Sequence, residues 1–526
     1  MKLNYIYIVV LLAFSLTSCS KYLDKMPDSR AEIDTEEEVG KLLVSAYPEH
    51  HSALFCELSS DNVDDYLGSE NKNSSPFSEE VALWKDITIS DNESPMQIWQ
   101  DHYKAIAAAN QALKSIEEMG NTSKLQPYKG EALLARAFSH FMLVNIFCQH
   151  YNPATASKDL GIPYMSDVET ELSPKYGRGN VADVYKQIEK DIEEGLPLIN
   201  ESVYTVPKYH FNKKAAYAFA SRFYLFYQKW EKVIENANKV FGSDPALMLR
   251  DLNALNNITR EPDIWAKEYV KDSHKSNLLI CSGYSRAGLV FGPYRSWKRF
   301  CVQKAVTSKE ITTATAPWGK YSSKLAIAGL YSYYANMMFS YTMGCEITAK
   351  VPYLFEYTDP VAQIGFNRSV FTLIQTEEAL FNRAEAYVML KQYDNAVADM
   401  QAWKKSRISG GVDLTRSVIN DFYNNTAYFE PLNPTIKKKL NPNFAIESGE
   451  QENMLHCILQ MRRLHFIHEG MRWFDIKRFG IEVDRRLINS QEKIASVTAT
   501  LGVKDLRRAI QIPQDVISAG LEANPR

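Results

Sequence analysis

The chain has 526 residues, of which 45% are hydrophobic and 23% are charged, so it can bury a core and is not intrinsically disordered. Sixty basic and 63 acidic side chains leave a formal charge of −3, which argues against nucleic-acid binding because that function needs a basic surplus. Aromatic residues reach 12%, with 30 Tyr and 8 Trp, which is more than a core needs.

Residues 1–18 predict a secretory signal peptide. Lys2 precedes an apolar run from Tyr5 to Leu16, which is too short to span a bilayer, since a spanning helix takes about 20 residues. The run ends in Leu16-Thr17-Ser18-Cys19, which resembles the lipobox of bacterial lipoproteins, where the Cys is acylated and becomes the first mature residue. We therefore predict lipid attachment at Cys19 and a tether over residues 19–40; ordinary cleavage with a structural Cys19 is the alternative.

The six remaining cysteines leave two possibilities open. Export permits disulfides, but the wide spacings show no framework, so free buried thiols fit at least as well. The absence of a C-x-x-C pair weakens zinc and thiol-redox interpretations.

Three segments predict helical hairpins, over about residues 97–148, 181–241 and 371–408. Apolar residues from Ile98 to Ile116 recur at spacings of three to five, which is one face of a helix, and Gly120-Asn121 ends it. A second helix follows through Met142, and another runs from Val181 to Leu198.

An internal repeat is the strongest organisational signal. Ala215–Phe241 aligns with Glu378–Lys404 at an offset of 163 residues. A small residue, an aromatic residue three positions later and a second helix about nine residues further on are typical of the tetratricopeptide (TPR) repeat. Two unrelated hairpins are the alternative.

Residues 242–369 lack this periodicity and are rich in Gly, Pro, Ser and Tyr. We predict long loops, short helices and a few short strands there, and irregular stretches of this length are usually functional. The predicted fold is mainly α, with TPR-like helical hairpins packed against a loop-rich, aromatic-rich half that has a few short strands.

Several segments, in order along the chain, resemble those of the SusD/RagB-like outer-membrane lipoproteins of Bacteroidetes. They are Cys19–Asp24, Asn212–Leu225 with Trp230–Lys232, Thr376–Ala386, the arginine-rich Arg462–Arg478 within a C-terminal signature over 456–526, and the closing Ile512–Asp515 with Asn524-Pro525. His465 and Met471 depart from the family pattern.

The resemblance implies a single SusD-like domain over residues 41–526 on the outer membrane, lipid-anchored and exposed at the cell surface. It implies a glycan-binding protein without catalytic activity, and a SusC-like, TonB-dependent β-barrel transporter as its partner. We predict no cofactor. The glycan sites of this family carry no motif, so none can be transferred by residue.

Aromatic side chains on irregular segments are the candidate carbohydrate contacts. Sugar C–H faces pack on flat rings, and nearby polar groups bind the hydroxyls. Four Trp residues in helical patterns are assigned to the core: Trp99, Trp230, Trp403 and Trp473. The predicted carbohydrate-binding set is Trp84, Trp265, Tyr294, Trp297, Trp318 and Tyr321, with Asn62 and Tyr66 beside Trp84. Arginines near Trp297 hint at acidic glycans.

Other constellations favour structural interpretations. The charged set from Arg462 to Arg478 predicts an ion-pair network rather than an anion site. His465 and His468 lack the H-E-x-x-H spacing of a zinc site. Gly283–Ala287 nearly matches a serine-hydrolase nucleophile elbow but lacks the α/β pattern around it. The Asp61, Asp64 and Asp65 cluster predicts a solvated turn, with a structural Ca²⁺ ion as the alternative.

These observations predict capture of an oligosaccharide or polysaccharide and its delivery to the transporter. A surface glycoside hydrolase and a TPR scaffold that binds only protein are the alternatives. Carboxylate spacing in a sequence does not fix carboxylate separation in space, so no catalytic pair is assigned.

Overall fold

The computed structural model describes residues 33–66, 74–170, 174–242, 244–252, 254–257, 261–292, 299–323, 330–333, 338–340 and 344–526. The predicted signal peptide, Cys19 and the first part of the predicted tether lie outside these ranges. Helices dominate the described residues, which confirms the mainly α fold.

The helices, in chain order, are α1 (Glu36–Leu43), α2 (Ala53–Ser59), α3 (Pro76–Ala82), α4 (Pro95–Glu118), α5 (Gln126–Phe147), α6 (Val181–Gly195), α7 (Lys213–Phe226), α8 (Trp230–Phe241), α9 (Pro262–Tyr269), α10 (Ala287–Phe291), α11 (Lys304–Glu310), α12 (Thr376–Met389), α13 (Tyr393–Arg407), α14 (Arg416–Asn424), α15 (Glu450–His465), α16 (Met471–Arg478) and α17 (Gln514–Ser518). Among the described helices, none combines the length and apolarity needed to cross a membrane.

The strands are short and form small sheets. They are β1 (Asp64–Asp65), β2 (Asn277–Tyr284), β3 (Phe300–Cys301), β4 (Lys320–Tyr321), β5 (Leu330–Tyr333), β6 (Met338–Ser340), β7 (Glu346–Thr348), β8 (Leu354–Asp359), β9 (Ile364–Gln375), β10 (Ile408–Gly410), β11 (Val483–Ile488) and β12 (Ile494–Leu501). Their order within the sheets is β12-β11-β1-β3, β10-β5-β4, β2-β9-β8 and β6-β7.

The predicted repeat is present as two adjacent helical hairpins, α7–α8 and α12–α13. Their second helices begin at aligned residues, Trp230 and Tyr393. A buried ion pair joins the hairpins, because the Arg222 guanidinium of α7 donates to both carboxylate oxygens of Glu378 on α12. The two copies therefore pack as one helical unit.

Helix α4 begins where the sequence chemistry favours a helix start. The Ser94 hydroxyl accepts a hydrogen bond from the Gln97 N–H, and Pro95 occupies the first helical position. Helix α5 packs antiparallel along α4, and α1 lies against both. This packing determines which face of α4 lines a cavity.

Strands account for the differences from the predicted elements. Residues 371–375 belong to β9, which pairs with β2, so the third predicted hairpin begins its helix only at Thr376. The β11–β12 hairpin lies inside the C-terminal signature and was not predicted. Its strands, with the sequences VDRRLI and IASVTATL, lack a regular apolar–polar alternation, so the sequence pattern gave little signal for them.

The arginine-rich segment forms a buried ion-pair network, as predicted. Arg462 donates to Asp475 at 2.9 Å within the segment, and Arg478 pairs with Glu385 of α12. Arg472 makes two hydrogen bonds to Asp61, at 2.8 and 2.9 Å. The network therefore ties the C-terminal helices to the TPR helices and to the N-terminal region.

The prediction of a solvated turn for the aspartate cluster is wrong. Asp61, Asp64 and Asp65 are buried, and their carboxylates bind Arg472, Arg486 and Arg299. Burial alone would raise the pKa of Asp61, but the guanidinium groups of Arg463 and Arg472 hold that pKa well below its usual range. Among the described residues, no group of three or more His, Cys, Asp and Glu side chains is arranged to hold a metal ion.

Neither alternative catalytic constellation has the geometry it needs. His465 and His468 are both buried and contact different residues. His465 Nε2 lies 3.1 Å from Gln375 Oε1, and His468 Nε2 accepts a hydrogen bond from the Thr348 N–H at 3.1 Å. Ser285 is buried after the antiparallel strand β2, where its hydroxyl accepts from the Ala287 N–H. An α/β nucleophile elbow is therefore absent at Ser285.

One disulfide joins Cys301 to Cys345, across 44 residues of the loop-rich half. Cys56, Cys148 and Cys457 are buried thiols, and Cys281 is a partly buried one. Both possibilities left open by the sequence are thus realised in different parts of the chain.

Glu57 gives a pH-dependent contribution to stability. Its buried carboxylate accepts hydrogen bonds from the His468 N–H at 2.7 Å and from Asn62 Nδ2 at 3.0 Å. Burial raises its pKa from 4.5 to about 7. The folded carboxyl then keeps its proton to higher pH than the unfolded one, so its contribution to the free energy of unfolding is lost as pH rises between about 4.5 and 7.

We expect Glu57→Gln to reduce this loss, because a glutamine keeps an acceptor oxygen and cannot ionise. Urea unfolding at several pH values from 4.5 to 7.5 measures the difference between the two proteins. Glu118→Gln on the exposed end of α4 is the control. Identical pH profiles for wild type and Glu57→Gln contradict the assignment.

Candidate functional site

Most of the predicted carbohydrate contacts that the structure describes are buried. Tyr294 and Trp297 lie outside the described residues. Asn62, Tyr66, Trp84, Trp265 and Trp318 are buried. The prediction that Asn62, Tyr66, Trp265 and Trp318 face a ligand is wrong, whereas Trp84, though buried, lines a cavity of about 530 Å³.

Trp265 and Trp318 are core residues, with 2% and 0% of their surface exposed. Trp265 belongs to a small separate cluster with Tyr269 and Leu255. The Trp318 ring packs edge-on against Trp403, with centroids 6.1 Å apart. Large rings stabilise irregular segments by burying apolar area, so their presence in loops did not mark a surface site.

Trp84 and Asn62 hold the N-terminal segments together. The Trp84 indole N–H donates to the Ser59 carbonyl at 2.9 Å, and the Arg485 guanidinium stacks on the ring at 4.9 Å from its centroid. Asn62 accepts from Arg463 at 2.9 Å while it donates to the Glu57 carboxylate. Asn62 is therefore occupied by the protein itself, whereas Trp84 also lines the cavity of about 530 Å³.

Tyr66 lies where several loops meet, which we call the loop junction (Tyr66 with residues 299–304 and 344–346). The Tyr66 N–H donates to the Arg299 carbonyl at 2.8 Å, and the Lys304 N–H donates to the Gly344 carbonyl at 2.9 Å. The Cys301–Cys345 disulfide crosslinks the junction. This arrangement explains the burial of Tyr66.

Tyr321 is the predicted residue that keeps partial exposure. Its ring packs against Tyr331 and Tyr333 with centroid distances of 5.6 and 5.9 Å. Tyr331 is buried beside Trp318, so the group is a core cluster with two rings at its edge. A ligand role for Tyr321 stays a prediction.

An aromatic-lined cavity of about 370 Å³ lies elsewhere, on the outer face of α4. We call it the aromatic cavity. Trp99, Tyr103, Ile106 and Asn110 line it from α4, because their spacing of three to four residues places them on one helix face. The Tyr103 hydroxyl donates to the Pro163 carbonyl at 2.8 Å, and burial raises the pKa of this tyrosine well above its usual value. The tyrosine ring is therefore held in place and neutral.

Buried polar groups fix the opposite wall of the aromatic cavity. Asn110 Nδ2 donates to the carbonyls of Met165 and Asp167 at 3.0 and 3.1 Å. The Arg136 guanidinium binds the Asn110 side-chain oxygen, the Ser166 carbonyl and the Asp191 carboxylate at 2.7–2.9 Å. The wall is thus built before any ligand binds, which lowers the entropic cost of binding.

Tyr176 forms the rim of the aromatic cavity and is 42% exposed. Its hydroxyl donates to the Glu169 carboxylate at 2.9 Å, and Asp167 and Lys175 complete the polar rim. Flat rings beside hydrogen-bonding groups match the C–H faces and hydroxyls of a sugar.

Sequence reasoning missed this cavity because it assigned Trp99 to the core by its helical pattern and did not single out Tyr103 or Tyr176. Trp99 is a buried core residue, as predicted, and it also borders the cavity. The Pro174-Lys175-Tyr176-Gly177 sequence, an aromatic residue between loop-forming residues, was the available signal.

Two family models match the chain. The model described as "Starch-binding associating with outer membrane" matches residues 21–225, and the model described as "SusD family" matches residues 347–515. The chain belongs to the SusD/RagB-like family. The family description associates these proteins with starch binding and with the outer membrane.

Solved structures share the fold at low sequence identity. A SusD superfamily protein from Bacteroides thetaiotaomicron is 18% identical, with 93% of this chain and 98% of that chain covered and a TM-score of 0.61. A SusD superfamily protein from Bacteroides fragilis is 17% identical, with 93% and 99% covered and a TM-score of 0.61. A SusD-like carbohydrate binding protein from Bacteroides vulgatus is 15% identical, with 93% and 97% covered and a TM-score of 0.58. No curated protein matches the chain significantly in sequence.

Two aromatic substitutions test which rings belong to the core and which lie at the surface, through their effects on the free energy of unfolding. We expect Trp318→Ala to lower the free energy of unfolding by about 3–5 kcal/mol, because it empties a packed site. Tyr176→Ala changes it by no more than about 0.5 kcal/mol, because the ring is largely at the surface. Urea unfolding of both variants measures this, and equal losses contradict the assignment.

Proposed function

We propose that this protein captures a glycan at the cell surface in the aromatic cavity and delivers it to a TonB-dependent β-barrel transporter of the outer membrane. The observation that carries the proposal is a preformed cavity lined by Trp99, Tyr103 and Tyr176 in a chain whose family is described as starch-binding. Membership of that family supports the outer-membrane partner.

We infer that the aromatic cavity binds a glycan without cleaving it. Ring faces supply contact area, and the rim carboxylates Asp167 and Glu169 accept hydrogen bonds from sugar hydroxyls. Tyr176 already donates to Glu169, so that carboxylate is engaged in shaping the rim. Capture without chemical change is the role that suits delivery to a transporter.

Tyr176→Ala tests the ligand site. We expect the mature chain to bind at least one polysaccharide of a glycan panel without forming product. The variant loses about tenfold or more in affinity, because truncating an aromatic anchor costs on the order of 1–2 kcal/mol. Isothermal titration calorimetry measures the affinity, and a reducing-end assay detects cleavage.

Tyr209→Ala is the matched control, because Tyr209 is 48% exposed and does not line the aromatic cavity. Equal losses in both variants, or unchanged binding by Tyr176→Ala, contradict the site. Release of reducing ends by the wild-type chain contradicts a capture function.

Cys19→Ser tests the predicted anchor. We expect the variant to lose incorporation of labelled fatty acid and to leave the outer-membrane fraction, because one acyl-bearing residue supplies the apolar area that holds the chain on the bilayer. Cys281→Ser, which changes a partly buried thiol, is the control. Unchanged labelling of Cys19→Ser contradicts lipid attachment at this residue, and loss of labelling without loss of membrane association places the attachment to the membrane elsewhere.

A further inference from the structure

A second cavity, of about 530 Å³, lies on the other side of α17 from the aromatic cavity. We call it the loop cavity. It is bounded by the first turn of α4, by residues 85–90 after α3 and by the C-terminal segment 507–526. Its lining includes apolar side chains, such as Ile510 and Ile512, and exposed hydroxyl groups of Thr88 and Ser90.

The walls of the loop cavity are fixed by hydrogen bonds. The Glu80 carboxylate accepts from the Thr88 N–H at 2.9 Å, from the Thr88 hydroxyl at 2.7 Å and from the Ile89 N–H at 3.3 Å. Arg526 pairs with Asp86 at 2.9 Å and joins the C-terminal segment to the loop. The loop cavity is therefore built by the fold rather than left by a gap in packing.

Helix α17 separates the two cavities by its own width. Asp515 and Ile517 line the loop cavity, whereas Val516 and Ala519 line the aromatic cavity. Gln100 of α4 donates to Asp515 at 3.2 Å and seats the short helix on α4. The outer side of α17 is polar and exposed at Gln514 and Ser518.

The two cavities share α4 as a common wall. Met96 lines the loop cavity and Tyr103 lines the aromatic cavity, and these positions are about 10 Å apart along the axis at 1.5 Å per residue. A chain-like molecule that fills one cavity and crosses α17 reaches the other.

The charges along this path cancel. The two linings contain four basic and four acidic side chains, which are Lys85, Lys175, Arg507, Arg526, Asp86, Asp167, Glu169 and Asp515. Several are already paired, such as Arg526 with Asp86 and Lys85 with Glu79. A surface without an excess of one sign matches an uncharged ligand rather than the acidic glycan that the arginines near Trp297 hinted at.

We propose that the aromatic cavity and the loop cavity are two subsites for one extended, uncharged glycan chain that crosses α17. The inference rests on the proposed function and deepens it. Once one part of the chain occupies the aromatic cavity, binding of the next part in the loop cavity is intramolecular, so long chains bind more tightly than short ones.

The test uses the mature chain and titrates a panel of polymers. Soluble starch, dextran, xylan, mannan and inulin are the uncharged probes, and polygalacturonate and chondroitin sulfate are the charged ones. For an uncharged polymer that binds, its disaccharide and octasaccharide are compared. We expect the octasaccharide to bind about 10²-fold more tightly than the disaccharide.

Ser90→Trp, which fills the loop cavity from an exposed position, is expected to remove most of that difference. Gln514→Trp, also exposed on the same cavity, is the second filling variant, and Ser202→Trp on an exposed site away from both cavities is the control. Tyr176→Ala is expected to weaken both fragments.

Each outcome decides the proposal. Equal affinities for the two fragments, an octasaccharide affinity unchanged by both filling variants, or a preference for the charged polymers overturns the two-subsite inference and leaves glycan capture standing. If no polymer of the panel binds to the wild-type chain, both the inference and the proposed capture of a glycan fail.

Discussion

Buried pairs between carboxylates and guanidinium groups are the constraint on which the other parts of this structure depend. Asp61 binds Arg472, and Asp64 binds Arg486, so each pair joins residues more than 400 positions apart. Glu310 adds a contact from the middle of the chain. A buried charge that loses its partner is strongly destabilising, so the N-terminal, central and C-terminal segments have to assemble in one arrangement. The cavities on α4 exist because that arrangement brings the last residues of the chain onto an early helix.

The helical half could be predicted because its signal is local. Periodicity near 3.6 residues and the repeat at an offset of 163 depend only on neighbouring positions, and both second helices begin where the alignment placed them. The candidate site could not be predicted in the same way. Whether the side chain of Trp318 or Tyr176 is exposed to solvent depends on segments that are distant in the sequence. Trp318 is buried although its neighbours in the sequence are polar.

The likeness to solved structures lies in the fold rather than in the sequence. Identities of 15–18% with TM-scores of 0.58–0.61 indicate that the fold is kept under extensive substitution. Side chains at cavity rims, such as Tyr176 and Ser90, carry little of the folding energy. Such side chains can change without loss of the fold, so a shared fold does not by itself define what is bound.

The disulfide at the loop junction makes this part of the fold sensitive to the redox environment. Disulfides form and persist in oxidising compartments, whereas the buried thiols of Cys56, Cys148 and Cys457 belong to the helical half. The helical half can therefore mature without any change of redox environment. The Cys301–Cys345 bond at the loop junction forms and persists only where thiols are oxidised, so this half of the fold gains its crosslink only in an oxidising compartment.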